Sequence, residues 1–126
     1  MTRTDKQQMI FVALIILACV LVYAGTRDQP ALESALVTYV YDGDTIVVLM
    51  DGKEFDVRFS GVDAPERGTP EGERVYTIIK LAIDDGEVGL ECYGKDKYDR
   101  MLCDVYFGQG NLGDWMVDRG LARVWR

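Results

Sequence analysis

Two strand-like runs, TIVVLM at 45–50 and KEFDVRF at 53–59, stand on either side of Asp51-Gly52. That dipeptide suits a two-residue hairpin turn, because a type I′ turn needs positive φ at both central positions. The hairpin register then sets Met50 against Lys53 and Thr45 against Arg58, with Asp44 beside them. This says which end of the hairpin carries the polar groups. It does not say which sheet face they take, since a one-residue slip reverses every side chain. Gly43, inside an otherwise extended stretch, is a candidate bulge. Upstream, ALVTYVY at 35–41 predicts a strand.

PEGERVYTIIKLAIDD at 70–85 changes period. Val75, Ile78, Ile79, Ala82 and Ile83 recur at three- and four-residue steps, which predicts a helix with one apolar stripe. Thr69 is its expected cap, Pro70 opens it, and Gly86 is expected to end it. EVGLECY at 87–93 and RMLCDVYF at 100–107 predict two more strands around the charged turn GKDKYD, and a helix is expected from about Leu112 to Gly120. Five short antiparallel strands with a long helix after the third predict a mainly β fold with α: a closed five-stranded barrel with two helices.

Met9–Gly25 is unbroken apolar sequence preceded by Arg3 and Lys6. At ~1.5 Å per residue it covers about 25 Å, slightly short of a ~30 Å hydrocarbon core. Three readings stay open: a signal anchor, a signal peptide cleaved after Ala24, and a lipoprotein signal using Cys19. All three put the basic N-terminus in the cytoplasm and the remainder outside, anchored through residues 9–25 or secreted. The division is therefore 1–25 signal segment, 26–35 polar linker and 36–126 folded domain.

The chain has 126 residues, enough for one domain with a small core. With 14 basic and 21 acidic residues the net charge is −7. An acidic body does not match tight non-specific DNA binding, which needs clustered Lys and Arg. The chain contains no histidine, so acid–base chemistry falls to carboxylates, Lys, Tyr or Cys. A metal held by Asp and Glu alone would be a hard ion such as Ca²⁺ or Mg²⁺.

Asp42, Asp44, Asp63, Glu66, Arg58 and Arg100 all fall at strand ends or in loops. Acids near turns often only cap and solubilise, and Glu71, Glu73, Asp84, Asp85, Asp114 and Asp118 are read that way. Surface arginines often pair with nearby acids to little effect. The wider pattern is more specific. DGDT at 42–45, Arg58, VDAPE at 62–66, DKYDR at 96–100 and GLARVW at 120–125 occur in order on compatible elements. Together they resemble the staphylococcal nuclease (thermonuclease) family over roughly residues 36–126.

That resemblance implies an OB-fold barrel and Ca²⁺-dependent hydrolysis of DNA and RNA. It implies Asp44, Asp63 and the backbone carbonyl of Ala64 as Ca²⁺ ligands, with Asp42 as a nearby supporting acid. It implies Glu66 as general base, Arg58 and Arg100 as the phosphate pair, and Lys97 and Tyr98 as nucleotide contacts. The chemistry is consistent. A hard cation cancels repulsion between two anionic reactants, guanidinium groups donate to oxygens where charge builds, and a carboxylate takes a proton from water. Three departures stand out. Asp99 replaces the family's usual glycine, putting an acid beside the second arginine. Trp125 and Arg126 stand where a tyrosine is expected, and the family's C-terminal helix has no counterpart before Arg126. Cys92 and Cys103 lie on facing strands, as a disulfide or as two buried thiols. No protein partner is read from the sequence. The alternatives to a nuclease are a catalytically silent binding module and a tethered structural domain.

Overall fold

The computed structural model describes residues 3–27 and 32–125, with side chains of the first stretch described over 5–20. The chain divides into two compact units, 1–31 and 32–126. The first unit is helix α1 (Arg3–Arg27), apolar and exposed over its described side chains from Met9 onward. Among the described residues no helix is long and apolar enough to cross a membrane. The expected spanning segment is thus unsupported, and part of the linker, 28–31, lies outside the described residues.

The second unit contains β1 (Glu33–Val40), β2 (Thr45–Met50), β3 (Lys53–Phe59), β4 (Val62–Asp63), α2 (Pro70–Ile83), β5 (Glu87–Lys95), β6 (Met101–Phe107), β7 (Gly110–Asn111), α3 (Leu112–Asp118) and β8 (Arg123–Val124). The main sheet runs β3-β2-β1-β5-β6-β7, and a further β3–β6 pairing closes five strands into a barrel. The closing pair is parallel, with Arg58 opposite Leu102. The expectation of purely antiparallel strands missed this, because only closure brings the two edges together.

The β2–β3 hairpin has the predicted register, Met50 opposite Lys53 and Thr45 opposite Arg58. Asp51 and Gly52 both take positive φ, 53° and 76°. Val37, Ile46, Val48, Val57, Leu90 and Val105 from the barrel pack with Val75 and Ile79 of α2 and with Leu112 and Met116 of α3 in one core. Thr69 caps α2 by accepting from the Gly72 amide at 3.0 Å.

Three local expectations are corrected. The irregularity in the β1–β2 pairing falls between Val37 and Tyr39, and not at Gly43. Gly43 sits in the β1–β2 turn, where an added Cβ would lie 2.7 Å from Val75 Cγ1 and 2.8 Å from Ala64 Cβ. It is needed so that this turn can approach α2 and the segment after β4. The chain beyond α2 turns through Asp85 at φ 58°, rather than through Gly86. Ala82 is exposed, so the buried stripe of α2 is Gly72, Val75, Ile79 and Ile83.

Candidate active site

Asp44 ends the β1–β2 turn and is 7% exposed. The turn is shaped by Asp42, whose carboxylate accepts from the Asp44 amide at 3.0 Å. Asp44 Oδ2 accepts from the Ala64 amide at 2.8 Å, and Asp44 Oδ1 accepts from the Thr45 hydroxyl at 3.2 Å. Burial pushes the Asp44 carboxyl up to about 6. The Ala64 amide opposes that rise, the neighbouring Asp42 adds to it, and Arg58 opposes it. The site therefore holds an acid whose charge is poorly compensated.

Arg58 lies opposite Thr45 on β3 and is 9% exposed. Nη1 donates to the carbonyls of Phe59 at 2.7 Å and Val62 at 2.8 Å, which fixes the guanidinium plane. Nη2 lies 3.4 Å from Asp44 Oδ2 and 3.5 Å from Asp63 Oδ1. Asp63 comes from β4, which pairs with β8 through Asp63 and Arg123. Its second oxygen meets Arg123 Nη2 at 3.4 Å.

Arg100 arrives from the β5–β6 turn. Asp96 builds that turn by accepting from the amides of Tyr98 and Arg100 at 2.9 and 3.0 Å. Its other oxygen takes Arg100 Nε at 2.8 Å. Those bonds to Arg100 and Tyr98 outweigh burial and hold the Asp96 carboxyl below its ordinary value. Arg100 Nη1 then reaches Thr45 Oγ1 at 3.4 Å. A continuous polar chain results, from Arg100 through Thr45, Asp44 and Arg58 to Asp63. Beside it opens a cleft of about 610 Å³ lined by Arg58, Asp63, Asp96, Lys97, Tyr98, Arg100, Leu102 and Trp125.

The fold thus brings together Asp44, Asp63, Arg58, Arg100, Lys97 and Tyr98, with Asp42 and the Ala64 backbone directly behind. Glu66 is placed differently. It lies on the exposed loop between β4 and α2, outside the cleft lining, and no hydrogen bond or ion pair among the described residues engages its carboxylate. Its backbone is firmly held: the Glu66 carbonyl accepts from Thr69 Oγ1 at 2.9 Å, and a Cβ at Gly72 would overlap that carbonyl. Asp99 does not adjoin the phosphate pair. Its carboxylate meets Lys95 Nζ at 3.1 Å, and it borders a separate depression with Tyr41 and Glu54. Reading adjacency in sequence as adjacency in space misassigned it, because the turn at positive φ points residue 99 away.

Thr45, Asp96 and Trp125 were not singled out as site residues from sequence. Asp96 carried a usable signal, a carboxylate four residues before an arginine in a turn. Thr45 carried one as well, the hairpin register that sets it opposite Arg58, whereas the approach of Trp125 to the cleft depends on β8. The Trp125 ring, 60% exposed, lies 5.9 Å from the Arg58 guanidinium carbon.

Among the described residues no group of three or more acids or cysteines is arranged to hold a metal ion. Two carboxylates that approach one guanidinium nitrogen from different elements, one of them buried with a raised pKa, remain a fit for a hard cation. The donor set would be Asp44, Asp63 and the Ala64 carbonyl, completed by water.

The family model for "Staphylococcal nuclease homologue" matches residues 56–126. The chain belongs to the staphylococcal nuclease family. It is 37% identical over 100 residues to a thermonuclease of Staphylococcus intermedius, covering 73% of this chain and 60% of that protein. It is 34% identical over 113 residues to Endonuclease YncB of Bacillus subtilis, covering 80% and 54%. It is 29% identical over 122 residues to an uncharacterized endonuclease of Haemophilus influenzae, covering 96% and 66%. The chain thus spans between 54% and 66% of the length of these relatives. Family membership accords with the barrel and with the order in which the site residues occur.

Proposed function

We propose that this domain is a Ca²⁺-dependent nuclease that hydrolyses phosphodiester bonds of DNA and RNA with low sequence specificity. The observation that carries the reading is the polar chain Arg100–Thr45–Asp44–Arg58–Asp63 beside one cleft, in a member of a nuclease family. Ca²⁺ held by Asp44, Asp63 and the Ala64 carbonyl would supply charge neutralisation at the phosphate. Arg58, fixed by two carbonyls, presents Nη2 at the cleft wall. Arg100, fixed by Asp96, presents its remaining donors from the β5–β6 turn. Two anchored guanidinium groups suit a phosphate better than mobile ones, since less ordering is left to occur on binding. Lys97 and Tyr98 extend the cleft lining along the strand of substrate. Glu66 is the general base in this reading. Its unengaged carboxylate leaves it available to take a proton from water, and its clamped backbone limits where it can reach.

The test is steady-state cleavage of a short single-stranded oligonucleotide in Ca²⁺ or EGTA. Glu66→Gln is expected to keep Ca²⁺ binding and to lose ~10²–10⁴-fold in kcat. Asp63→Ala is expected to lose Ca²⁺ stimulation while staying folded. If both variants and EGTA leave kcat within about threefold of the parent, the binding-module reading takes over.

An extracytoplasmic location belongs to the same proposal. Arg3 and Lys6 ahead of the apolar run support it, as does the Cys92–Cys103 disulfide, a bond typical of oxidising compartments. Membrane tethering through residues 9–25 is one form of it and secretion the other. Protease added to intact cells is expected to digest the domain if anchored, and culture medium to contain it if cleaved. A domain protected inside the cell overturns the placement.

A further inference from the structure

Arg67 follows Glu66 directly, and its side chain joins three parts of the fold. Nε and Nη2 fork onto the two oxygens of Glu73 at 3.2 Å each, in the first turn of α2. Nη1 donates to the Tyr41 carbonyl at 3.3 Å, one residue before the turn that carries Asp42 and Asp44. The guanidinium lies 3.7 Å from the centroid of the Tyr76 ring. Glu73 Oε1 accepts in addition from the Gly68 amide at 3.1 Å, so the same carboxylate grips the chain on the far side of Arg67.

We propose that Arg67 is a positioning residue that sets the approach of Glu66 to the acid-bearing turn. The inference rests on Glu66 acting as the base. Among the described residues the Glu66 carboxylate makes no hydrogen bond or ion pair, so its location is set mainly by the backbone that carries it. Arg67 ties that backbone to Tyr41 on one side and to α2 on the other. A misplacement of ~1 Å in a reacting group can cost 10²-fold in rate. By contrast, the Arg67 and Glu73 side chains are 40% and 48% exposed, and an exposed pair adds little to stability. A structural role would therefore be weak where a positioning role is strong. Lysine cannot replace it, because a single ammonium cannot fork onto Glu73, donate to Tyr41 and lie flat on a ring together.

The experiment compares the full-length parent with R67A, R67K, E66Q and the double variant E66Q/R67A, using the short oligonucleotide in Ca²⁺ and following Ca²⁺ binding by calorimetry. R67A is expected to lower kcat by about 10- to 100-fold. KM and Ca²⁺ affinity are expected to stay within about threefold, with R67K recovering only part of the loss. In the E66Q background, R67A is expected to add nothing further, since its effect runs through Glu66. If R67A loses its folded circular-dichroism signature, Glu73→Gln, which keeps a carbonyl for the Gly68 amide but drops the charge pair, is expected to show the same kcat loss and the same dependence on Glu66. An intact kcat in R67A, a loss confined to KM, or a full additive loss on top of E66Q overturns the positioning role while leaving the nuclease reading in place. An E66Q protein as fast as the parent overturns Glu66 as the base and the positioning role with it, and the nuclease reading then rests on the Asp63→Ala and EGTA tests.

Discussion

A buried carboxyl without full compensation makes the protein sensitive to pH at one residue. Asp44 titrates near 6 in the folded protein, against 3.8 for an ordinary aspartate, chiefly because burial disfavours its charge. A raised folded pKa contributes stability that is present below about 3.8 and lost as pH climbs through about 6. In EGTA the parent is expected to lose thermal stability across that window, and Asp44→Asn, which cannot ionise, to gain on the parent. Ca²⁺ is expected to reverse the order at neutral pH by stabilising only the parent. Scanning calorimetry of both proteins near pH 5 and near pH 7.5 checks this, and a Tm difference that does not change with pH contradicts it. Asp99 makes the opposite case, a residue near the site in sequence and away from it in space. Its φ of 64° is one that costs a side chain energy, and its Lys95 pair is exposed. Asp99→Gly is expected to change stability favourably by roughly 1 kcal/mol or less. Cleavage is expected to stay within about twofold, because Arg100 is oriented by Asp96. Urea unfolding and a rate assay separate the two effects.

At the scale of elements, the β5–β6 hairpin both closes the barrel and delivers Arg100. Cys92 and Cys103 are directly opposed in it and form a disulfide across 11 residues. In a chain-entropy account a loop of that length is worth about 2–3 kcal/mol. Cys92→Ala/Cys103→Ala is expected to lose about that much in urea unfolding, and dithiothreitol to bring the parent to the same level. The Asp96–Arg100 turn is closed by its own bonds, including Asp96 N–H to Arg100 C=O at 2.9 Å. Well below Tm, cleavage by the double variant is therefore expected to stay within about threefold of the parent. A large rate loss without unfolding would mean that the disulfide, and not Asp96, orients Arg100.

At the scale of the molecule, a net charge of −7 surrounds a site with few cations. Arg58, Arg100 and Lys97 are the basic groups in the cleft lining. Each phosphate contact to a single strand contributes about −0.7 to the slope of log K against log salt, so three contacts predict a slope near −2. Fluorescence anisotropy of a labelled oligonucleotide with the Glu66→Gln variant measures it. A slope steeper than about −4 would require a basic track elsewhere on the surface.

The sequence by itself determined most of the elements and named most of the residues that gather at the cleft. Asp51-Gly52 can satisfy a tight turn with two positive φ angles, so the hairpin register followed, and with it Thr45 opposite Arg58. The stripe of Val75, Ile79 and Ile83 determined the face that α2 buries. The pattern of Asp44, Arg58, Asp63 and Arg100 pointed to one site through its resemblance to the staphylococcal nuclease family, and those residue types suit that chemistry. Only tertiary structure decided what those residues touch. Parallel closure of β3 on β6 made Thr45 the link between Arg100 and Asp44, and the β4–β8 pair brought Trp125 and Arg123 to the site. The clamp of Arg67 on Glu73, Tyr76 and Tyr41 makes an acid assigned to solubility an anchor in α2 for the loop that carries Glu66. Local patterns report the periodicity and turn geometry of one segment, whereas these contacts join segments whose separation along the chain carries no such signal.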